Sequence, residues 1–156
     1  LNIAAQPRMV AINAAIGVDL HGNIWADSMR ARWIYSGVGG QCDFIRGANL
    51  SAGGVPIIAL KSLTSKGVSK VVDMCPKGIT TTAIAADPVV IVTENGALDP
   101  RGLSISERAV GIAHLASPEV KEQLLREIYD SPEFHRPGAA LAGGVPKGFI
   151  PYEAIG

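Results

Sequence analysis

The sequence contains few of the residues that staple small secreted folds together or bind metals. Two cysteines, Cys42 and Cys75, occur among 156 residues, and together with three histidines they show no spacing typical of metal ligands. The scarcity of cysteine argues against a disulfide scaffold and favours a reducing, cytoplasmic setting. We therefore predict no structural metal and no disulfide.

Long hydrophobic runs and an excess of one charge are also absent. The apolar stretches, such as residues 57–60 and 89–92, are far short of the roughly 20 residues that a membrane span requires. Fourteen basic residues balance fourteen acidic ones, so no long-range field favours nucleic acid or an anionic membrane surface as a partner. An anionic ligand would have to be bound by local contacts.

The sequence does contain enough apolar material for one core. Hydrophobic residues make up 47% of the chain and charged residues 18%, which suits a single globular domain of this length. The chain starts at Leu1, and no basic-then-apolar leader follows. We interpret this start as a trimmed one and expect the natural gene product to be longer.

Apolar segments separated by turn residues predict strands. Residues 9–20 and 24–29 flank a turn sequence at residues 21–23 and predict a hairpin. Residues 56–61 and 69–74 predict a second hairpin, or two adjacent antiparallel strands. The continuous apolar run at residues 89–92 predicts a strand buried on both faces, followed by a turn.

Helix signals follow the strands. A short helix is predicted to start near Gly40 and Gln41, and Ser104 with Glu107 forms a capping-box pattern before a second helix. A third helix is predicted after Ser117. This order predicts an α/β domain over residues 1–136, with an open mixed sheet flanked by helices. Residues 137–156, rich in Pro and Gly, predict an extended tail.

The glycines of residues 36–48 offer the clearest opportunity for chemistry. Gly37, Gly39 and Gly40 permit a backbone whose amides all point into one concavity just before a helix begins. Such a nest binds phosphate or stabilises an oxyanion. The spacing matches neither a P-loop nor a dinucleotide fingerprint. On glycine content alone, a tight loop without any ligand is an equal alternative.

Several motifs occur in an order that resembles one enzyme family. Over roughly residues 8 to 130 the chain resembles the carboxyl-terminal domain of the acetyl-CoA hydrolase/transferase family, which includes 4-hydroxybutyrate and succinate:acetate CoA-transferases. The motifs are NAAIGVD (13–19), GVGGQ (37–41), DFIRGA (43–48), IIAL (57–60), SKG (65–67), VTE (92–94), RG (101–102) and ERA (107–109).

The resemblance implies a CoA-transferase-like domain that packs against an amino-terminal domain, with the acyl-CoA site in the cleft between them. In the family a glutamate attacks the thioester and forms a glutamyl-CoA intermediate, and a carboxylic acid or water then completes the reaction. Asn13 would lie near that glutamate, and the amides of Gly39 and Gly40 would stabilise the oxyanion. Coenzyme A, as a substrate, would contact Gly37, Val38, Gly39, Gly40, Gln41 and Lys66. A solvated surface lysine is the alternative for Lys66.

The family's nucleophile lies upstream of the Asn13 motif, in a stretch that this chain does not contain. The resemblance therefore predicts a CoA-transferase, or an acyl-CoA hydrolase, whose glutamate lies on a missing segment or a partner subunit of a homo- or hetero-oligomer. Glu94 is an alternative nucleophile, because Thr93-Glu94-Asn95-Gly96 looks like the Ser-Glu-Asn-Gly motif of 3-oxoacid CoA-transferases. A carboxylate that caps the turn or lines the site is the other interpretation of Glu94.

Two further hypotheses stay open. Cys42 stands where the family usually has glycine, and it could be a nucleophile activated at a helix start, with His21 or His114 as its base, or a small packed thiol. A non-catalytic CoA-binding or scaffolding domain is the alternative from another class. Whether the enzyme is a CoA-transferase or an acyl-CoA hydrolase, we expect this domain to expose an apolar face beside Asn13 and Gly39 that meets the missing domain.

Overall fold

The computed structural model describes residues 2–30, 33–134 and 143–155. Its three helices are α1 (Gln41–Leu50), α2 (Ile105–His114) and α3 (Pro118–Asp130), with 3-10 turns at Pro132–Phe134 and Tyr152–Ala154. The strands, in chain order, are β1 (Val10–Ala14), β2 (Gly17–Asp19), β3 (Ile24–Trp25), β4 (Ser28–Arg30), β5 (Trp33–Ile34), β6 (Val55–Ala59), β7 (Val71–Val72), β8 (Val90–Thr93), β9 (Gly96–Leu98) and β10 (Phe149–Pro151).

A five-stranded mixed sheet forms the centre of the domain. Its strand order is β1-β6-β8-β9-β10, in which β1, β6 and β8 run parallel while β9 and β10 are antiparallel to their neighbours. The strands are rich in Val and Ile, whose branched side chains suit a pleated surface. The predicted α/β class, with a mixed sheet flanked by helices, is confirmed.

One face of this sheet carries the hydrophobic core. Residues that lie opposite one another in register point to the same face, and on this face they are buried against the helix layer: Ala11, Ile58, Ile91, Leu98 and Phe149. Helix α2 approaches β9 closely because residue 111 is glycine. A Cβ there would lie 2.6 Å from Leu98 Cδ1.

The prediction that residues 89–92 form a strand buried on both faces is wrong in part, because the opposite face of the sheet is less covered. In β8 the side chain of Ile91 is buried, but Val90 and Val92 are only half-buried. Among the described residues, the helices that pack on the sheet cover only the other side. The strand is therefore fully buried on one face and not on both.

The predicted first hairpin is confirmed at its turn but not along its first arm. Strands β2 and β3 pair antiparallel around residues 20–23, as predicted. Residues 9–20, however, form two strands, of which β1 joins the five-stranded sheet and β2 joins a three-stranded sheet of order β3-β2-β7.

The predicted second hairpin is wrong. Strands β6 and β7 lie in different sheets, because β7 pairs in parallel with β2, where Val18 and Val71 are fully buried. Burial of these two side chains outweighs the local pairing that the short connection suggested. A single antiparallel bridge between Leu63 and Ser69 closes the loop after β6.

The helix predictions are confirmed. The Ser104 hydroxyl accepts a hydrogen bond from the Glu107 amide at 3.2 Å, and the Glu107 carboxylate accepts one from the Ser104 amide at 2.7 Å, which completes the capping box of α2. Within the predicted tail, β10 pairs with β9. Residues 135–142 and 156 lie outside the described residues. Across the described ranges, no helix combines the length and hydrophobicity needed to cross a bilayer.

Candidate functional site

The candidate residues gather at one edge of the sheet. Because β1, β6 and β8 are parallel, their carboxyl ends meet at the same edge, which we call the carboxyl edge. Asn13 lies near the end of β1, Ser62 follows β6, and Glu94 follows β8 directly. In open α/β sheets, ligands bind in the crevice outside the carboxyl ends of the strands.

Helix α1 brings its amino terminus to this same edge. Ser51, which follows α1, accepts a hydrogen bond from the Met9 amide at 3.1 Å and donates one to the Gln6 carbonyl, so the helix ends beside the start of β1. Ten helical residues span about 15 Å, close to the length of a five-residue strand. The helix therefore begins near the level at which β1 ends.

The glycine loop before α1 is open. Residues 37–40 are all exposed, and Gly39 adopts a left-handed conformation with φ of 59°. A Cβ at Gly37 or Gly39 would meet no atom within 4 Å. Gly40 is the N-cap of α1, and no side chain caps the helix at this end. The amides of the first helical turn are thus available to an acceptor from outside.

Gln41 lies where the helix and the sheet meet. It shares a helix face with Ile45 and Ala48, both of which are fully buried. The residue itself is 8% exposed, and its Nε2 has no hydrogen-bond partner within the described part of the chain. A buried amide donor without an acceptor is uncommon in a folded protein.

Asn13 belongs to the same layer. It pairs in register with Ile58, so its side chain points to the helix-covered face of the sheet and not to the opposite one. The residue is half-buried. Asn13 and Gln41 therefore lie in the layer between α1 and the sheet, toward the same edge.

Glu94 is tied to the neighbouring strand end by Ser62. Its carboxylate accepts hydrogen bonds from the Ser62 hydroxyl at 2.6 Å and from the Ser62 amide at 2.9 and 3.2 Å. Burial acts to raise the pKa of Glu94, but the bonds from Ser62 outweigh it, so the pKa lies below its ordinary value. Sequence reasoning missed Ser62. Its place just after the predicted strand at residues 56–61 was the available signal.

A polar cluster around Asp27 holds the segments on either side of the glycine loop. The buried Asp27 carboxylate accepts hydrogen bonds from the Thr80 hydroxyl at 2.8 Å and the Thr82 hydroxyl at 3.3 Å. The Asp27 carbonyl accepts one from the Tyr35 amide at 2.6 Å, just before the loop. The cluster thereby holds both ends of the segment that leads into α1. Asp27 binds Tyr35 before the loop, and the Thr82 carbonyl accepts a hydrogen bond from Cys42 in the helix.

The surroundings of Cys42 are those of a packed thiol. Its Sγ donates to the Thr82 carbonyl at 2.8 Å. His21 contacts Glu133 and the Phe134 ring, while the His114 ring bonds the Val110 carbonyl at 2.9 Å. Both histidines thus contact other elements, and neither of these two rings hydrogen-bonds to the Cys42 thiol.

Lys66 lies on the loop that leaves the carboxyl edge after β6. The loop is a tight turn in which the Thr64 hydroxyl accepts hydrogen bonds from the amides of Lys66, at 3.3 Å, and Val68, at 3.0 Å. The Lys66 side chain is exposed. In the part of the chain that the structure describes, no group of three His, Cys, Asp or Glu side chains is placed to hold a metal ion.

These features define an α/β domain with a candidate anion or oxyanion site at the carboxyl edge of its sheet. The chain belongs to the acetyl-CoA hydrolase/transferase family, since the model of that family's C-terminal domain matches residues 1–128. The resemblance seen in the sequence motifs is thereby confirmed.

Individual relatives agree with this assignment. The 4-hydroxybutyrate coenzyme A transferase of Clostridium kluyveri is 40% identical over 129 residues, which cover 82% of this chain and 30% of the relative. The acetyl-CoA hydrolase of Neurospora crassa is 31% identical over 81% of this chain and 23% of its own length. The crystal structure of RipA from Yersinia pestis superposes with a TM-score of 0.69 at 38% identity, over 81% of this chain and 27% of RipA. The chain thus spans less than a third of the length of these relatives.

Proposed function

We propose that this chain is the carboxyl-terminal part of an enzyme that transfers coenzyme A between an acyl-CoA and a carboxylic acid. The observation that carries the proposal is the convergence of the family motifs at the carboxyl edge. Asn13 comes from β1, whereas the glycine loop at residues 37–40 and Gln41 come from the start of α1, yet both segments lie toward the carboxyl edge of the sheet. Two free cysteines suit a cytoplasmic enzyme.

In the proposed reaction this domain supplies hydrogen-bond donors, and a glutamate from polypeptide outside it supplies the nucleophile. The carboxylate attacks the thioester carbonyl, and the coenzyme A thiolate leaves to give an acyl-glutamyl anhydride. The thiolate then attacks the glutamyl carbonyl, which releases the acyl group as a carboxylate and leaves glutamyl-CoA. A second carboxylic acid reverses these steps.

Each step passes through a tetrahedral oxyanion, which the glycine loop is suited to stabilise. The amides of Gly39 and Gly40 are exposed at the start of α1, where the helix dipole also favours negative charge. Asn13 orients the glutamate from the helix-covered face of β1. Lys66 would meet the phosphates of coenzyme A as a mobile point charge.

An exposed apolar surface supports association with an amino-terminal domain. We call it the hairpin patch, and its exposed members on and beside β4 and β5 are Met29, Trp33, Ile34 and Tyr35. The hairpin leads directly into the glycine loop, so a domain that covered the patch would close the site from that side.

Hydrolysis is the second candidate function, since the acetyl-CoA hydrolase of Neurospora crassa is among the relatives. The two activities differ in whether water or a carboxylic acid attacks the glutamyl-CoA thioester. An assay in water with an added carboxylic acid distinguishes the two activities. Hydrolysis releases free coenzyme A, whereas transfer forms a new acyl-CoA.

Activity assays of the chain alone and of a chimaera test the proposal. We expect the 156-residue chain alone to show no turnover of acetyl-CoA with succinate or butyrate. A chimaera in which residues 1–128 replace the matched part of the Clostridium kluyveri enzyme should transfer coenzyme A. In it Gly39→Ala keeps the amide but strains its left-handed backbone conformation, and the displaced donor should lower kcat at least about tenfold. Complete loss of an oxyanion donor costs about 10² to 10³.

Gly102→Ala is the matched control for this substitution. Gly102 also has a positive φ, 72°, and open space around its Cβ position, but it follows β9 at the opposite edge of the sheet. The two substitutions should therefore impose a similar backbone strain. Equal kcat values for the two variants in a folded chimaera would refute the proposed site. Turnover by the chain alone that Glu94→Gln abolishes would instead make Glu94 the nucleophile.

A further inference from the structure

The glycine loop at residues 37–40 has no hydrogen bonds of its own that would fix its position. Across the described residues, none of its four amides donates a hydrogen bond, and all four residues are exposed. A Cβ at Gly39 would meet no atom within 4 Å, so no neighbouring side chain packs against the loop there. The position of the loop therefore depends on the residues on either side of it.

Asp27 binds the segment that enters the loop. Its backbone carbonyl accepts hydrogen bonds from the Tyr35 amide at 2.6 Å and from the Ser36 amide at 3.2 Å. Ser36 directly precedes Gly37, so the last residue before the loop is bonded to Asp27. The hairpin of β4 and β5 lies between Asp27 and Tyr35, and these two bonds join its ends. The entry to the loop is thereby held at Asp27.

The carboxylate of the same residue holds the exit from the loop. It accepts a hydrogen bond from the Thr82 hydroxyl at 3.3 Å, and the Thr82 carbonyl accepts one from the Cys42 thiol at 2.8 Å. Cys42 lies in the first turn of α1, shortly after Gly40. The Thr80 hydroxyl donates to the other carboxylate oxygen at 2.8 Å. Asp27 thus connects both ends of the glycine loop.

The surroundings of Asp27 favour a single arrangement of this network. Asp27 is 6% exposed, and Thr82 and Ser28 are buried beside it, so water cannot readily replace a lost bond. An ionised carboxylate accepts and does not donate, so both threonine hydroxyls must direct their protons to it. The Thr82 hydroxyl oxygen in turn accepts a hydrogen bond from the Ala26 amide at 3.0 Å. A satisfied buried network of this kind rigidifies the segments that it joins.

We propose that Asp27 is a positioning residue for the proposed transfer of coenzyme A. By holding the segments on both sides of the loop, it sets where the amides of Gly39 and Gly40 lie relative to the reacting carbonyl. Asp27 is buried and its carboxylate is already bonded, so it acts through the loop and does not touch the substrate. This inference rests on the proposed function, since it concerns the same site.

The size of the expected effect follows from the geometry that an oxyanion donor needs. Such a donor works when it lies about 2.7–3.1 Å from the oxyanion, and a misplacement of about 1 Å can cost about 10² in rate. Asp27→Asn keeps the shape of the side chain, but an amide has one acceptor oxygen where the carboxylate has two. One threonine hydroxyl then loses its acceptor, and the segments around the loop shift. Because the oxyanion exists only in the transition states and intermediates, kcat should fall while KM changes little.

Steady-state kinetics of the chimaera provide the first measurement. Asp27→Asn should lower kcat at least about tenfold and keep KM for the acyl-CoA within about threefold. Asp19→Asn is the matched control, since the Asp19 carboxylate is also buried. It accepts hydrogen bonds from the amides of His21, Asn23 and Cys75, none of which lies in the loop or in α1. The control should keep kcat within about threefold, and circular dichroism establishes that both variants are folded.

A pair of substitutions at Thr82 tests the same network without changing Asp27. Thr82→Val removes the hydroxyl and keeps the branched shape, whereas Thr82→Ser keeps the hydroxyl that donates to Asp27. We expect Thr82→Val to lower kcat at least about tenfold and Thr82→Ser to stay within about threefold of the unsubstituted chimaera. Loss of packing alone would affect the serine variant more, because serine lacks the methyl group.

The amide signals of the loop give a measurement that needs no activity. In the isotope-labelled 156-residue chain, the nuclear magnetic resonance signals of Gly37, Gly39 and Gly40 should shift in Asp27→Asn. The same signals should stay in place in Asp19→Asn. This comparison reports whether the loop moves when Asp27 changes, independently of the reaction.

The outcomes separate this inference from the proposed function. An active chimaera in which Asp27→Asn and Asp19→Asn have equal kcat values would overturn the inference and leave the function standing. Thr82→Ser as slow as Thr82→Val, or loop signals that stay in place in Asp27→Asn, would overturn it as well. A folded chimaera without transferase activity would refute the proposed function, whereas loop signals that shift in Asp27→Asn alone would still support the anchoring of the loop by Asp27.

Discussion

The hydrogen bond between Ser62 and Glu94 gives a measurable prediction about how the carboxyl edge is held together. Ser62→Ala removes the bond of 2.6 Å between the serine hydroxyl and the carboxylate, and Glu94→Gln replaces this charge-assisted bond by a neutral one. A hydrogen bond to a charged group contributes about 1.5–3 kcal/mol. Because Glu94 is exposed, solvent screening reduces this, and we expect each substitution to lower the free energy of unfolding by about 1 kcal/mol.

The double-mutant cycle isolates this bond. If it accounts for most of each loss, the coupling energy from urea unfolding of the four chains should be about 0.5–1 kcal/mol. Each single substitution should lower Tm by about 2–4 °C. Coupling below about 0.3 kcal/mol would refute the reasoning, since the two side chains would then act independently.

The pH dependence of the same cycle has a definite sign. The pKa of Glu94 is lower in the folded chain than its ordinary value of 4.5, so the unfolded chain takes up a proton first as the pH falls. The stabilisation is present above pH 4.5 and is lost as the pH falls through the folded pKa. Glu94→Gln should show no such loss, and an unchanged pH profile would contradict the assignment.

Two further predictions concern His114 and Cys42. Burial lowers the pKa of His114 below 6.5, and its bond to the Val110 carbonyl opposes this only in part, so the folded chain should lose stability as the pH falls from 6.5 through the folded pKa. His114→Gln should reduce this dependence of the free energy of unfolding on pH, measured by urea titrations at several pH values. If the dependence persists, another group must cause it. In the active chimaera Cys42→Ser should keep turnover within about threefold, because serine can donate to the same Thr82 carbonyl, whereas a nucleophile would be lost by factors of about 10⁴ or more.

Local signals predicted most of the elements but not their partners. The capping box at Ser104 and Glu107, the turn at residues 21–23 and the helix start at Gly40 are determined by neighbouring residues, and each was correct. Strand pairing is decided by burial across the whole fold. No local signal in residues 9–20 indicated that β1 and β2 would enter different sheets.

The sequence motifs named the candidate site residues, which stay predictions, but they did not give the arrangement of those residues. Motif order identified Asn13, Gln41 and Glu94 along the chain, but only the parallel register shows that Asn13 faces the helix layer. The bond from Ser62 to Glu94 could not be predicted, because it depends on β6 and β8 being neighbours. Their adjacency is a property of the sheet and not of either segment.

The hydrogen-bond partners of the candidate groups support our proposal that another polypeptide completes the site. Glu94, the carboxylate at the carboxyl edge, is already bound by three hydrogen bonds from Ser62 and is held in its ionised form. The Nε2 of Gln41, in contrast, is buried at the same edge with no acceptor in the described part of the chain. An unsatisfied donor at this edge can bind an acceptor from outside the domain, and a glutamate carboxylate or an oxyanion is chemically suited to be that acceptor.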